Sequence, residues 1–339
     1  MNPPIPSRPE PALLAEVTRG PAVESRHFGH VVVVNSAGEL LFSAGDPEHP
    51  TYPRSSLKPL QALAAVARGT ADYFHFTEAE IAVTCASHAA EPRHLEAVRQ
   101  ILARIEATED DLRCGPHGVP HIPTRDAMIR EGREPTPIYN NCSGKHSGML
   151  ALACVLEAPL AGYWEAEHPV QQEIQRILVA ACGADRGALQ WGIDGCGVPT
   201  YLMPLRELAL GFARLADPAY LDQSDAEAAR RITGAMMAEP GMVRGEGGLD
   251  TVVMEALPGT VFCKGGAEGC EAAGIPGQGI GIAIKVEDGA ARPLAPVLLA
   301  LLRRFDAAPR ELPAILAPLA RPQVLNTRCE VVGEVHSAI

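Results

Sequence analysis

Aromatic side chains, basic residues and long apolar runs are all scarce in this sequence. Of its 339 residues only 4% are aromatic, so a core would be built mostly from Leu, Val, Ile and Ala. Asp and Glu total 41 against 29 Lys and Arg, a balance that disfavours nucleic-acid and anionic-membrane surfaces. No apolar run is long enough for a membrane span, and the Pro-rich start MNPPIPSRPEP lacks the apolar centre of a signal peptide. We therefore expect a cytoplasmic protein without nucleic-acid or membrane partners.

Cysteine is present nine times, but the odd number and irregular spacing do not indicate a disulfide framework. In a reducing compartment most of these residues would be buried thiols that pack as small hydrophobic side chains. Two cysteines differ from the rest because they lie in polar, Gly-rich segments, NNCSGKHSG and DGCGVP. These two are candidates for chemistry.

Strand patterns occur near both ends of the chain, and helical patterns fill its middle. The apolar strand patterns fall in residues 30–35, 39–46, 260–266, 279–289 and 326–335. The first two flank the turn Ser36-Ala37-Gly38 and predict a β-hairpin, and the last predicts an edge strand. Thr77 and Glu80 form a capping-box pattern at a predicted helix start. Together these patterns predict an α+β fold, with one antiparallel sheet built from both termini and a helical region inserted between them.

The domain organisation predicted from these patterns is simple. Residues 1–15, which are rich in proline, are expected to be a flexible N-terminus. Residues 16–339 are expected to form a single domain, because we find neither an internal repeat nor an internal linker.

The segment PRSSLKP places a serine and a lysine three residues apart at a predicted helix start. Ser55 and Lys58 share a helix face at this spacing, whereas Ser56 points elsewhere. Pro59 is tolerated in a first helical turn, so Ser55 must lie at or just before that turn, near free N–H groups. A serine becomes a nucleophile when a base takes its proton, and a lysine with a lowered pKa can be that base. A solvated lysine in a first turn is the alternative.

Two further segments resemble parts of a serine hydrolase site. TCASHAAE contains Ser87 in a polar patch, and FCKGGAEG places Lys264 at the end of a predicted strand, before two glycines that allow close approach of a substrate. Their order after the Ser-x-x-Lys motif resembles the three-motif layout of penicillin-recognising serine hydrolases and β-lactamases. A loop or capping role for Ser87 and a solvated strand end at Lys264 are the alternatives.

The segment that contains Cys142 and Lys145 is not a phosphate-binding loop. Tyr139 stands where the leading glycine would be, and His146 follows the lysine where Ser or Thr is required. Two cysteines, Cys142 and Cys196, with one nitrogen donor and a water would complete a zinc tetrahedron. Buried free thiols, or a nucleophilic Cys142, are the alternatives.

Taken together, five segments closely resemble the motifs of the rhizobial-type (class 3) L-asparaginases, the asparaginase II family. The segments are PRSSLKP, TCASHAAE, NNCSGKHSGML, GIDGCGVPT and FCKGGAEG, and the resemblance spans residues 17–334. It implies the fold of serine β-lactamases and glutaminases, a homodimer, and hydrolysis of L-asparagine to L-aspartate and ammonia.

The resemblance also implies roles for individual residues. The implied residues are Ser55, Lys58, Ser87 and Lys264 for catalysis, Cys142, Lys145 and Cys196 for zinc, and Arg54, His146 and Asp194 for substrate binding or orientation. One Zn²⁺ per chain, with water as its fourth ligand, would support substrate binding more than generate the nucleophile.

From these roles we expect an acyl-enzyme mechanism. Lys58 would deprotonate Ser55, and the Ser87–Lys264 pair would then protonate the leaving ammonia and help to activate water. Asp194 would hold the α-ammonium of the substrate, and Arg54 would hold its α-carboxylate. A glutaminase, a β-lactamase- or esterase-like serine hydrolase, and a non-catalytic amino-acid-sensing domain of the same fold are the alternatives.

Overall fold

A computed structural model of the chain describes residues 9–339. The strands are β1 (Ala12–Arg19), β2 (Ala22–Asn35), β3 (Leu40–Ala44), β4 (Pro50–Thr51), β5 (Gln190–Ile193), β6 (Pro199–Pro204), β7 (Phe262–Gly266), β8 (Cys270–Ile275), β9 (Ile280–Val286), β10 (Gln323–Leu325) and β11 (Val331–Ser337). The helices are α1 (Lys58–Ala67), α2 (Thr70–Tyr73), α3 (Glu78–Thr84), α4 (Pro92–Arg104), α5 (Ile122–Arg130), α6 (Ser143–Val155), α7 (Pro169–Cys182), α8 (Leu205–Ala216), α9 (Gln223–Ala238), α10 (Pro240–Val243), α11 (Leu249–Ala256), α12 (Leu294–Arg304) and α13 (Ala317–Ala320).

Strands from both termini form one antiparallel sheet, which confirms the predicted α+β architecture. Within residues 9–339 its order is β10-β11-β1-β2-β9-β8-β7, and β3 pairs with β2 as the predicted hairpin. Val31 to Val34 in β2 are all buried, and because successive side chains point to opposite faces, both faces of the sheet are covered. Helix α8 packs closely on β8 and β9, where the paired glycines Gly274 and Gly281 leave room for its backbone.

The structure corrects three expectations about the strands. Strand β1 begins at Ala12 and buries Leu14, so the predicted flexible N-terminus, residues 1–15, extends too far; its residues 1–8 lie outside the described part. Strand β11 is not an edge strand, because β10 pairs with its outer side. A second small sheet, β4-β6-β5, was not predicted. Its strands are short and contain Pro and Gly, which hide the strand pattern.

Within the helical middle of the chain, α11 and the turn before α1 pack against β7, at one edge of the sheet. A 3₁₀ turn, Arg54–Leu57, leads directly into α1, whose second residue is Pro59, as the sequence predicts. This turn covers strand β7, and Gly266 is required there because a side chain would overlap the carbonyl of Pro53. Helix α3 begins with the predicted Thr77–Glu80 capping box. Among the described residues we find no helix with the length and apolar character of a membrane span.

Candidate active site

A cleft of about 680 Å³ opens where strand β7 meets the helical region. Ser55 lines it from the turn before α1, and Ser87 lines it from the loop after α3. Arg54, directly before Ser55, has a φ of +52°, a backbone conformation that is uncommon outside glycine. The opposite wall is formed by the segment 244–248 and by Gly265 and Gly266 of β7. All three predicted catalytic segments therefore line the cleft: the first two through Ser55 and Ser87, and the third through the glycines that follow Lys264.

Lys58 is fully buried, and its amine lies next to Ser87, which lines the cleft. Its Nζ lies 2.6 Å from the carbonyl oxygen of Ala86, 3.0 Å from Ser87 Oγ and 3.5 Å from the carbonyl oxygen of Asn141. Within the described residues Lys58 forms no ion pair, and no hydrogen bond joins it to Ser55. The first turn of α1 therefore directs Lys58 towards Ser87, and the predicted Ser55–Lys58 contact is replaced by a Ser87–Lys58 contact.

Lys264 is equally buried but has different partners. Its Nζ donates to the carbonyl oxygen of Gly265 at 2.6 Å and lies 3.4 Å from Asp250 Oδ2. Burial lowers the pKa of Lys264 to about 8, although the Asp250 carboxylate opposes that shift. In residues 9–339 no hydrogen bond joins Lys264 to Ser87. Helix α11 presents Asp250 to this lysine, and a catalytic pairing of Ser87 with Lys264 stays a prediction.

Two acidic groups, Asp250 and Glu271, and one cation, Arg244, surround Lys264. Burial alone would raise the pKa of Asp250, but Lys264 and Arg244 hold it below its usual value. Burial and the neighbouring Asp250 raise the pKa of Glu271 well above its usual range, which favours its uncharged form. Lys264 and Arg244 therefore both lie beside the Asp250 carboxylate.

The three predicted zinc ligands come together beside the first turn of α6. Lys145 Nζ donates to Cys196 Sγ at 2.9 Å, and the thiol of Cys142, at the start of the same helix, donates to Asn141 Oδ1 at 3.1 Å. The neighbouring Cys142 and the charge of Lys145 lower the pKa of Cys196 to about 5, despite burial. Gly197, with a φ of +88°, closes the tight turn that presents Cys196. Two sulfurs and one nitrogen match the donors that Zn²⁺ accepts in tetrahedral sites.

Cys142 itself is poorly placed to be a nucleophile. The neighbouring Cys196 and burial raise the pKa of Cys142 to about 12, which favours the thiol over the nucleophilic thiolate. It is also buried and does not line the cleft. Both observations disfavour the alternative in which Cys142 attacks the substrate.

Arg54 and Asp194, two of the predicted substrate-binding residues, bind each other. Arg54 Nε donates to Asp194 Oδ1 at 2.5 Å, which pairs the two charges. Arg54 lines a second cavity of about 600 Å³, on the side of the β4-β6-β5 sheet, together with Tyr52 and Lys285. Neither residue lines the cleft that contains the serines.

His146, the third residue predicted to bind substrate, is fully buried in α6. Its Nδ1 lies 2.6 Å from the Tyr163 hydroxyl, and burial together with Lys145 lowers its pKa to about 3. It does not line the cleft, and its predicted role in substrate binding or orientation stays a prediction. The helix turns this side chain into the core because Tyr163 packs on that face.

Sequence reasoning missed the wall of the cleft that lies after α10. Arg244 and Glu246 line the cleft, and Glu91 lines it from the loop before α4. The Gly-rich segment RGEGG, residues 244–248, was a usable signal, because clustered glycines next to charged residues indicate a loop that approaches a ligand closely.

The antiparallel sheet, the inserted helices and the serine-lined cleft define an α+β hydrolase. A model of the L-asparaginase II family matches residues 15–337, and the chain belongs to this family. It is therefore an amidohydrolase that acts on a small-molecule substrate. No curated protein sequence matches the chain.

Three solved structures share low identity with the chain. Mglu in its native form is 16% identical with a TM-score of 0.47, and the match covers 82% of this chain and 64% of Mglu. A β-lactamase from Mycobacterium bovis is 16% identical with a TM-score of 0.40, and the match covers 82% of this chain and 94% of that one. A Bacillus glutaminase in 4.3 M NaCl is 13% identical with a TM-score of 0.43, and the match covers 82% of this chain and 91% of that one. The chain thus spans less than two thirds of the length of Mglu.

Proposed function

We propose that the protein hydrolyses the side-chain amide of L-asparagine to give L-aspartate and ammonia through an acyl-enzyme. The observation that supports this most directly is the 3.0 Å separation of Lys58 Nζ and Ser87 Oγ in a cleft that Ser55 also lines. Membership of the L-asparaginase II family supports the substrate.

Lys58 is well arranged to act as a base when its amine is neutral. A neutral amine has two N–H donors and one lone pair. The carbonyl oxygens of Ala86 and Asn141 can accept from the two donors, which leaves the lone pair facing the Ser87 hydroxyl. We propose that Ser87 donates its proton to Lys58 in this state.

Ser55 is the proposed nucleophile, and Ser87 carries its proton. Ser55 Oγ attacks the amide carbon and gives its proton to Ser87 Oγ, while Ser87 gives its own proton to Lys58. The free N–H groups at the start of α1 favour the charge that develops on the amide oxygen. Lys58 then returns its proton to the amide nitrogen, the C–N bond breaks and ammonia leaves, and water hydrolyses the acyl-Ser55 ester.

Two variants test this assignment of the serines. Ser55→Ala should remove both asparagine turnover and any acyl-enzyme detected by intact-protein mass spectrometry after rapid acid quenching. Ser87→Ala should slow turnover by about 10²- to 10⁴-fold, as expected for loss of a proton-transfer group, while Ser55 still becomes acylated. Acylation of Ser87 in the Ser55→Ala variant would reverse the two roles.

The zinc site and the remaining predicted residues belong to the same proposal. Cys142, Lys145 and Cys196 would hold one Zn²⁺ per chain, which would fix the turn around Asp194 and act as a Lewis acid towards nearby groups. A substrate contact by Asp194 and proton transfer by Lys264 during deacylation stay predictions. Arg54, which pairs with Asp194 and does not line the cleft, is a weaker candidate for binding the α-carboxylate than the cleft residue Arg244. Metal analysis checks the ligand set: the wild type should contain about one zinc per chain and Cys196→Ala much less, while unchanged zinc in Cys196→Ala would contradict it.

The proposal also includes a homodimer in the cytoplasm. Light scattering coupled to gel filtration tests the dimer through the molar mass, and a mass of one chain at micromolar concentration would contradict it. Fractionation of cells that express the protein tests the location.

Ammonia release from asparagine and from glutamine is the decisive test of the activity. Rapid release from asparagine that disappears in Ser55→Ala would support the proposal. Cleavage of glutamine alone would indicate a glutaminase, and turnover of a chromogenic lactam or ester alone would indicate a β-lactamase- or esterase-like enzyme. Binding of amino acids with no turnover would indicate the sensing domain.

A further inference from the structure

Arg244 is a cation in the cleft whose position is tied to one of the two serines. The backbone N–H of Ser87 donates to the carbonyl oxygen of Val243 at 2.9 Å, so the residue directly before Arg244 is held against the serine loop. Arg244 lines the same cleft as Ser55 and Ser87, and 42% of its side chain is exposed. Its guanidinium is therefore accessible to a molecule that occupies the cleft.

Two glycines make room for the Arg244 side chain. A Cβ at Gly248 would overlap Arg244 Cγ, so the aliphatic part of the side chain passes directly over this glycine. A Cβ at Gly265 would lie 3.1 Å from Arg244 Nη1, so the guanidinium lies over strand β7. The Gly-rich segment after α10 and the Lys-Gly-Gly segment of β7 thus form a slot that fits this one side chain.

The hydrogen-bonding capacity of Arg244 is unused by the protein. Within residues 9–339 its guanidinium makes no hydrogen bond, and its charge partner, Asp250 Oδ2, is 3.7 Å away. The same Asp250 oxygen already accepts from the Gly265 N–H at 3.2 Å and faces Lys264 at 3.4 Å. Asp250 therefore balances the charge of Arg244 without occupying its donors, and the planar donor fork remains free for a carboxylate.

Arg54, the residue predicted from the sequence to hold the α-carboxylate, differs on each of these points. Its Nε is bound to Asp194 at 2.5 Å, and it lines the second cavity instead of the cleft. To bind a substrate in the cleft, Arg54 would have to break its close ion pair with Asp194, whereas Arg244 already lines the cleft and has no hydrogen bond to break within the described residues.

We propose that Arg244 binds the α-carboxylate of the amino acid amide and thereby restricts the enzyme to substrates with a free α-carboxylate; this inference rests on the proposed function. Arg244 is a specificity residue in this proposal, because it contacts the substrate away from the reacting amide. A guanidinium pairs with a carboxylate through two parallel hydrogen bonds, which also fixes the orientation of the side-chain amide towards Ser55.

The test compares two substrates that differ in the group Arg244 would bind. L-Asparagine has an α-carboxylate, and L-asparaginamide has a neutral amide of similar size in its place. Cleavage of the side-chain amide of each is followed by chromatography of the products, in the wild type, Arg244→Met and Arg54→Met. We expect the wild type to prefer asparagine in kcat/KM by about 100-fold. Arg244→Met should lower kcat/KM for asparagine by about 100-fold and leave that for asparaginamide nearly unchanged, while Arg54→Met should keep the preference.

The comparison of substrates separates recognition from structural damage, because damage to the cleft would lower both activities equally. Equal losses in Arg244→Met, or a preference lost in Arg54→Met but kept in Arg244→Met, would overturn the inference. Arg244→Lys keeps the charge without the planar fork and should retain an intermediate preference of about 10-fold.

A binding measurement keeps the inference testable if the wild type proves inactive on asparagine, which would defeat the proposed function alone. Calorimetric titration with L-aspartate and with L-isoasparagine, which has an amide in place of the α-carboxylate and is otherwise identical, then reports on the α-carboxylate directly. Tighter binding of aspartate by the wild type, lost in Arg244→Met and kept in Arg54→Met, would support the Arg244 site. Equal binding by the wild type and Arg244→Met, or no binding by either, would overturn it.

Discussion

Lys58 and Lys264 are both fully buried beside the same cleft, yet their surroundings differ. Lys58 has two carbonyl oxygens and a serine hydroxyl around its amine, whereas Lys264 has a carbonyl oxygen and a carboxylate. When an amine that faces a buried carboxylate loses its proton, the carboxylate is left without its nearest partner. An amine that faces only neutral acceptors does not have this additional electrostatic cost.

The contrast shows that burial alone does not identify a catalytic lysine. The identity of the partner decides whether the lysine exchanges protons or stabilises a charge network. We therefore assign proton transfer to Lys58 and, first of all, a structural role to Lys264, which holds Asp250 beneath the cleft. The following predictions test this division, from the largest expected effect to the smallest.

Replacing Lys58 should have the largest effect on activity. Lys58→Met removes the proposed base, and we expect ammonia release from asparagine to fall by about 10³-fold or more. The free energy of unfolding should fall by about 1–3 kcal/mol, because the carbonyls of Ala86 and Asn141 lose a donor. Activity within tenfold of the wild type would remove Lys58 from the chemistry.

Replacing Lys264 should have the largest effect on stability. Lys264→Met leaves the Asp250 carboxylate buried with only the more distant Arg244, and we expect a loss of about 3 kcal/mol in the free energy of unfolding. Urea denaturation followed by circular dichroism measures this loss. Adding Asp250→Asn should recover much of it, because the uncompensated charge is removed as well.

Lys285, which is only partly buried, provides a comparison for this stability effect in which no carboxylate is involved. Its amine donates to the carbonyl oxygens of Glu268 and Val286 and has no carboxylate partner within the described residues. Lys285→Met should therefore cost less than about 1 kcal/mol. An equal cost for Lys285→Met and Lys264→Met would show that loss of the carboxylate pair is not the cause.

The pH dependence of stability should also distinguish Lys264. Its pKa is about 8 in the folded protein because burial disfavours the charged amine, whereas an exposed lysine has a pKa of about 10.4. Between these values the unfolded chain binds more protons at this residue, so its contribution to the free energy of unfolding rises with pH. Between pH 8 and pH 9, we expect the free energy of unfolding of the wild type to increase by about 1 kcal/mol relative to that of Lys264→Met.

Urea denaturation of both proteins at the two pH values measures this difference. The other ionisable groups are present in both proteins, so their contributions cancel to a first approximation in the difference. A difference that stays constant or shrinks with rising pH would contradict the lowered pKa of Lys264.

Replacing Ser56 should have the smallest effect of all. Ser56 is buried between Ser55 and Gly266 of β7, which both line the cleft, but Ser56 itself does not line it. We expect Ser56→Ala to change kcat/KM by less than about threefold and the free energy of unfolding by less than about 1 kcal/mol. Loss of activity comparable to that of Ser55→Ala would show that proximity to the cleft is not what separates the two serines.

Local features of this fold follow directly from the sequence. Pro59 sets the start of α1, Thr77 and Glu80 set the start of α3, and the turn after Asn35 closes the first hairpin. These interactions span at most a few residues, so spacing and residue type decide them without help from the rest of the chain. The meeting of Cys142 and Lys145 at one end of α6 belongs to the same class.

The partners of the buried charged side chains were decided by the tertiary structure. Spacing along a helix suggests that Lys58 meets Ser55, but its amine instead reaches Ser87, which is 29 residues away along the chain. The pairing of Lys264 with Asp250 and the placement of Arg244 in the cleft likewise depend on how α10, α11 and β7 pack together. Long side chains adopt many rotamers, and the partner they bind is selected by the elements that surround them, which spacing along one element does not specify.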